Sequence, residues 1–125
     1  MKYFLSLGSN IDAEKNLEFA SQELKKILLN VESSSIHKTK AEGIEGDDFL
    51  NSIICGNSEL SFEDFNKELK LIEDKAGRNR DAPKFSARTL DIDIVLQIDE
   101  NDDILFESDE IQKYNFVSAP LKELI

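Results

Sequence analysis

Residues 88–96 read RTLDIDIVL, and acidic and aliphatic side chains alternate through the middle of this stretch. Alternation at every second residue is typical of a β-strand with one buried face. Because successive strand side chains point to opposite faces, Asp91 and Asp93 are predicted to project side by side from one face. Two carboxylates held so close repel each other, and aspartate is depleted in strands. The stretch therefore predicts a strand and raises the question of why two carboxylates lie on one of its faces.

Hydrophobic periods elsewhere predict three further strands and two helices. Apolar residues at steps of three and four predict a first helix after Asn10 or Asp12, either of which is a suitable N-cap. Ser61 with Asp64 resembles a capping box that opens a second helix, and Gly77 is well placed to end it. The predicted strands cover residues 2–8, 31–39, 49–57 and 88–96, while residues 111–125 fit a short strand or a helical turn equally. The order β-α-β-β-α-β predicts an α+β, ferredoxin-like fold with an antiparallel sheet and both helices packed on one face.

The composition indicates a single globular domain over residues 1–125. The chain is 40% hydrophobic and has eight phenylalanines, which is enough to bury a core. A formal net charge of −11 argues against binding to nucleic acid or to an anionic membrane, because both need a basic surface. The single cysteine, Cys55, excludes an internal disulfide and lies in an apolar run typical of a buried, inert thiol. No apolar stretch is long enough for a membrane span or a signal peptide, so we expect a cytoplasmic protein. We also expect a monomer rather than an oligomer.

A basic loop precedes the acidic strand. Residues 78–88 contain four cations against a single acid, in a chain that is strongly acidic overall; the cations are Arg78, Arg80, Lys84 and Arg88. One interpretation is mutual neutralisation through surface ion pairs, which contribute little to stability. The other is a polyphosphate site, in which two carboxylates on one strand face bind Mg²⁺ and the loop cations contact phosphate oxygens.

The sequence FLN, at residues 49–51, forms a second pattern. Phe49 and Asn51 are two residues apart on a predicted strand and should share a face. An aromatic ring beside an amide suits a flat heteroaromatic ligand, which stacks on the ring and hydrogen-bonds to the amide. The simpler interpretation is a core phenylalanine beside a strand-edge asparagine. His37, the one histidine, has no partner visible in the sequence and is expected to have a surface or structural role.

Several of these motifs occur in a known order. The sequences LGSN near the N-terminus, FLN, Glu73 followed by GRNR, and ARTLDIDIVL resemble the 6-hydroxymethyl-7,8-dihydropterin pyrophosphokinases of folate biosynthesis. The resemblance runs from about Tyr3 to Leu121, and RTLDIDI is its most specific part. It implies a ferredoxin-like fold and an enzyme that transfers the pyrophosphoryl group of ATP to the hydroxymethyl oxygen of the pterin, releasing AMP. ATP and 6-hydroxymethyl-7,8-dihydropterin are thus the implied substrates.

The resemblance also implies roles for individual residues. Asp91 and Asp93 would bind two Mg²⁺ ions, and with Arg78 and Arg88 they form the implied catalytic set. The implied nucleotide-binding residues are Glu73, Arg78, Arg80, Lys84, Arg88 and Ile94. The implied pterin-binding residues are Thr39, Gly43, Phe49, Asn51, Asp91 and Phe116, with Phe49 and Phe116 on the two faces of the ring.

The region before Phe116 departs from the family pattern. It reads ESDEIQKYNF, without the proline-histidine pair and the arginine usual there, and Lys113 is the one nearby cation. The segment between Asp93 and Phe116 is short for the family, and the chain ends soon after SAPLKELI, so the resemblance is to a shortened member. These departures motivate a second hypothesis, a non-catalytic pterin-binding relative that has lost part of the nucleotide site. A third hypothesis is a ferredoxin-like interaction module with a fortuitous motif.

Overall fold

The computed structural model of the chain describes residues 1–40, 48–77 and 90–125. Six strands and four helices lie in these ranges. They are β1 (Lys2–Ser9), α1 (Ala13–Ile27), β2 (Leu29–Ser33), β3 (His37–Thr39), β4 (Phe49–Asn57), α2 (Phe62–Lys75), β5 (Asp91–Ile98), β6 (Ile104–Glu107), α3 (Glu110–Lys113) and α4 (Asn115–Leu121). No helix in these ranges is both long and apolar enough to cross a membrane.

The strands form one antiparallel sheet with β1 at its centre. The order across the sheet is β2-β4-β1-β5-β6, and β3 pairs with β4 beyond the end of β2. Strands β4 and β5 therefore flank β1, as the ferredoxin-like prediction requires, and the predicted α+β fold class is confirmed. Since β1 is hydrogen-bonded on both sides, it fixes β4 and β5 relative to each other.

The two long helices pack on one face of the sheet, as predicted. Their apolar stripes and the inward side chains of β1 and β5 form one core, in which the rings of Tyr3 and Phe65 stack with centroids 4.4 Å apart. Helix α2 begins where the sequence predicts, because the Ser61 hydroxyl accepts a hydrogen bond from the Asp64 N–H at 3.2 Å. It ends before Gly77, whose φ of 87° favours glycine.

The opposite face carries a second, smaller core beneath α4. Val117 and Leu121 of this helix pack against Phe4, Ile53 and Val95 of the sheet. Cys55 is fully buried in the same core, as predicted, and burial raises the pKa of its thiol. The C-terminal tail is thus helical near its end. The tail covers the sheet face opposite α1 and α2, on which the sequence predicts no helix.

A clasp of three side chains ties the C-terminal segment to the sheet. The Glu123 carboxylate accepts hydrogen bonds from the Ser35 N–H and hydroxyl, both at 2.8 Å, and lies 2.6 Å from His37 Nε2. These contacts, the Ser35 N–H first, lower the pKa of Glu123 to about 2. His37 therefore has the structural role that the sequence predicts.

Two local predictions need correction. The sequence predicts one strand over residues 31–39, but the structure has two strands there. The Ser34 hydroxyl accepts a hydrogen bond from the Ile53 N–H at 2.8 Å, and this side-chain contact interrupts the backbone hydrogen bonds between the strands. At the start of α1, Asp12 occupies the N-cap position but adopts a left-handed conformation, with φ 45°, and its side chain makes no cap hydrogen bond. The Asn16 side chain instead donates to the Ile11 carbonyl at 2.6 Å.

Candidate functional site

A row of three residues crosses the centre of the sheet at one end of β1. Gly8 lies opposite Asn51 of β4 on one side and opposite Asp91 of β5 on the other. In the same way Ser6 lies opposite Asp93. Side chains in register on neighbouring strands share a face, so the FLN and LDIDI motifs meet across LGSN. The glycine has no side chain and leaves a hollow between the amide and the carboxylate.

This hollow is the floor of a pocket of about 420 Å³ between the sheet and the C-terminal helices. The pocket lies on the face opposite α1 and α2, because Asp91 and Asp93 alternate with Ile92 and Ile94 of the helix-side core. Its lining residues are Ser6, Gly8, Thr39, Lys40, Phe49, Asn51, Asp91, Asp93, Glu110, Lys113, Tyr114, Asn115 and Phe116. A pocket of this size accommodates a fused two-ring heterocycle.

Asn51 is held in one orientation at the pocket floor. Its Nδ2 donates to the Thr39 hydroxyl at 2.8 Å, and the residue is only 4% exposed. A Cβ at Gly8 would lie 3.1 Å from Asn51 Oδ1, closer than most real Cβ contacts. Any larger residue at this position would crowd Asn51 Oδ1 and force the amide to shift by a few tenths of an ångström.

Aromatic rings form the apolar walls of the pocket. Phe116, in the first turn of α4, stacks on Tyr114 with ring centroids 4.8 Å apart and planes 21° from parallel. Phe49, at the start of β4, lines the same cavity and is half-buried. The stack restrains the Phe116 ring, and a restrained ring provides a stacking surface at low entropic cost.

Carboxylates line the end of the pocket formed by β5. Burial first, and then the neighbouring Asp91 carboxylate, raise the pKa of Asp93 to about 6, against the lowering effect of Lys70. Burial and Asp91 also raise the pKa of Glu110, at the start of α3. Carboxylates that repel in this way favour a cation among them, since a cation removes both the repulsion and the desolvation penalty.

Glu73 adds a third carboxylate from the helix side of β5. This residue is fully buried, and its Oε2 accepts a hydrogen bond from the Ile92 N–H at 2.7 Å. Carboxylate oxygens of Glu73, Asp91 and Asp93 lie within 4.8 Å of one another. Hard oxygen ligands at this spacing fit the coordination that Mg²⁺ prefers, so the donor set present suits the ion.

The pocket brings together most of the predicted pterin-binding residues, namely Thr39, Phe49, Asn51, Asp91 and Phe116. Ile94 is 6% exposed and packs in the helix-side core, so its nucleotide role stays a prediction. The remaining predicted residues, Gly43, Arg78, Arg80, Lys84 and Arg88, lie outside the described ranges. Sequence reasoning did not assign Gly8, Glu110 or Tyr114 to the site. Only Gly8 had a signal, as part of LGSN, because the positions of the other two depend on α3 and α4.

Comparison with known families agrees with this geometry. Residues 4–125 match the family described as 7,8-dihydro-6-hydroxymethylpterin-pyrophosphokinase. The chain belongs to this family. The match includes most of β1 and all of the other elements that line the pocket, and it confirms the resemblance identified from LGSN, FLN and RTLDIDI.

Three chlamydial proteins, each named a folate synthesis bifunctional protein, are similar to this pyrophosphokinase-family chain. That of Chlamydia muridarum is 34% identical over 105 residues, which is 78% of this chain and 23% of the relative. That of Chlamydia trachomatis is 35% identical over 104 residues, again 23% of the relative. That of Chlamydia caviae is 33% identical over 96% of this chain and 29% of its own length. The chain thus spans about a quarter of the length of these curated relatives.

Proposed function

We propose that this chain transfers the pyrophosphoryl group of ATP to the hydroxymethyl oxygen of 6-hydroxymethyl-7,8-dihydropterin, a step of folate biosynthesis that releases AMP. The observation that carries this proposal is the single pocket that joins Asn51, Phe116, Asp91 and Asp93. Such a pocket offers one end to a flat polar heterocycle and the other to a cation-bound polyphosphate. Residues 1–125 act as one catalytic domain in this proposal.

The pterin binds over the Gly8 hollow. Phe116 stacks on one face of the ring system and Phe49 approaches the other, while the Asn51 amide hydrogen-bonds to its polar edge. The contact between Asn51 and Thr39 fixes the amide before the ligand arrives, which lowers the entropic cost of binding. Gly43 is expected to complete the contacts to the pterin edge.

The triphosphate binds at the carboxylate end. Asp91 and Asp93 hold two Mg²⁺ ions, which when bound neutralise charge on the triphosphate and stabilise the charge that develops during transfer. In this proposal the loop cations Arg78, Arg80, Lys84 and Arg88 contact the phosphate oxygens. Glu73 and Ile94, which are both buried, remain predicted nucleotide-side residues. Asp91 lines the pocket and also belongs to the acidic triad, which supports a position for it between the two substrates in this proposal.

The main contribution of the protein to this reaction is to position the two substrates. The hydroxymethyl oxygen forms a bond to the β-phosphorus, the bond from that phosphorus to the α–β bridging oxygen breaks, and AMP leaves with that oxygen. The hydroxyl proton is released to solvent or to a nearby base. Holding the two reactants in line accelerates such a step by converting a bimolecular encounter into an internal one.

The experiment is an AMP assay with the purified chain. AMP should form only when ATP, Mg²⁺ and the hydroxymethyl-dihydropterin are all present, and Asp93→Asn should lose most of this activity with the fold intact. Asp64→Asn, an exposed aspartate on α2, is the matched control and should retain activity. No AMP at saturating substrates would reject catalysis. If calorimetry then still detected pterin binding but no MgATP binding, the non-catalytic pterin-binding alternative would be favoured.

A further inference from the structure

Lys70 reaches from α2 into the acidic triad beside β5. Its Nζ lies 3.1 Å from the Ile92 carbonyl oxygen, 3.2 Å from Glu73 Oε2 and 3.3 Å from Asp93 Oδ1. The ammonium therefore contacts two of the three carboxylates whose oxygens lie within 4.8 Å of one another. Its side chain is 33% exposed, so the head group is partly withdrawn from water.

The contact to Asp93 is not required to hold the backbone of β5. At Ile92 the edge of the strand faces α2, where Glu73 accepts from the N–H and Lys70 donates to the carbonyl. A neutral donor in place of Lys70 can also hydrogen-bond to that carbonyl, more weakly than the charged ammonium does. The positive charge has its distinctive effect on the carboxylates, where it reduces their mutual repulsion.

We propose that Lys70 is the resident counter-ion of the acidic triad and competes with divalent cations for Asp93. The inference rests on the proposed function, in which Asp91 and Asp93 bind Mg²⁺. An ammonium and a divalent cation cannot both approach one carboxylate oxygen without strong repulsion. Metal binding at Oδ1 of Asp93 in the free chain therefore requires Lys70 to move away from this oxygen. Lys70 is a positioning residue in this sense, since it acts on the metal site through Asp93.

The test measures Mn²⁺ binding to the full chain in the absence of nucleotide. Binding is followed by electron paramagnetic resonance, as the loss of the signal of free Mn²⁺. Lys70→Gln keeps a donor for the Ile92 carbonyl but removes the charge. It is expected to bind Mn²⁺ about tenfold more tightly than the parent chain, because a unit charge has been removed from beside the ion. Lys67→Gln, an exposed lysine on the same helix, makes the same change in net charge and should leave the affinity unchanged.

A second variant and a second readout separate the local effect from a structural one. Lys70→Arg retains the charge and should bind Mn²⁺ as weakly as the parent chain. In EDTA, which removes divalent cations, Lys70→Gln should unfold at a lower temperature than Lys67→Gln. Added Mn²⁺ should then raise the unfolding temperature of Lys70→Gln more than that of the parent chain or of either other variant. Equal affinities for Lys70→Gln and the parent, or an equal gain in Lys67→Gln, would overturn the counter-ion role while leaving the metal site intact. No Mn²⁺ binding by any of these proteins would instead contradict the metal role of Asp91 and Asp93, and this inference with it.

Discussion

Glu73 offers a test of whether a buried carboxylate in this site is structural. Its Oε2 accepts the Ile92 N–H at 2.7 Å and lies 3.2 Å from the Lys70 ammonium, and the residue is fully buried. Glu73→Ala removes the acceptor and leaves the Ile92 N–H buried at the edge of β5. Glu73→Gln keeps an oxygen for that N–H and replaces the charged carboxylate with a neutral amide.

The geometry sets the size of the two effects. An unsatisfied buried N–H costs about 1–3 kcal/mol, and the truncated side chain leaves a small cavity that adds to this cost. The lost ion pair adds at most about 1 kcal/mol, because Lys70 is one-third exposed and keeps its contact with Asp93. Glu73→Ala should therefore lower the free energy of unfolding by about 2–4 kcal/mol, whereas Glu73→Gln should lower it by about 1 kcal/mol.

Thermal and urea unfolding, monitored by circular dichroism, measure this difference. For a chain of this length the alanine variant should melt about 8–15 °C below the parent, and the glutamine variant within about 4 °C of it. Glu63→Ala, at an exposed acid in the first turn of α2, controls for the loss of an acid on this helix. The reasoning fails if both Glu73 variants are as stable as the parent. A large rise in the KM for ATP in both of them would then assign Glu73 to nucleotide binding alone.

Three further outcomes follow from the pocket and the clasp. Gly8→Ala should weaken pterin binding about tenfold in calorimetry, because the added methyl group crowds Asn51 Oδ1 at 3.1 Å; unchanged affinity would exclude the hollow as the binding surface. Phe116→Ala should weaken pterin binding by a similar factor of about ten through the lost stacking, and a variant that binds normally would place the ring elsewhere. Because the pKa of Glu123 is lowered to about 2, its contribution to stability is fully present above its ordinary value of 4.5 and is lost as the pH falls towards 2. Urea unfolding at several pH values should therefore show a steeper loss of stability below pH 4.5 for the parent than for Glu123→Gln, and parallel curves would contradict the clasp.

The sequence was sufficient to predict the sheet and its two long helices because their signals are local. The run FLNSIICGN predicts β4 with the bounds that the structure has, and the Ser61 cap marks the start of α2. The layer formed by α4 had no comparable signal. Its seven residues contain Pro120 and are too few to establish a helical period, so its position depends on packing against Phe4 and Val95.

The buried state of Glu73 was equally inaccessible to sequence reasoning. A glutamate on an amphipathic helix is normally exposed. Here its carboxylate accepts a hydrogen bond from the backbone N–H of Ile92, in a strand far away in the sequence. Lys70 has the pattern of a solvated helix lysine for the same reason. Both residues become part of the site only because α2 packs against the edge of β5 at Ile92.

The register of β1 explains why three short motifs, far apart in the sequence, belong to one site. LGSN, FLN and LDIDI each lie in a strand or at its end, and any one of them alone permits a purely structural interpretation. Antiparallel pairing places Gly8 between Asn51 and Asp91, and a slip of one residue in either pairing would turn one of these side chains to the opposite face. The acidic pair and the amide are therefore useful together only in this register. In this register a side chain at residue 8 would crowd Asn51, so the small size of Gly8 links the strand pairing to the ligand pocket.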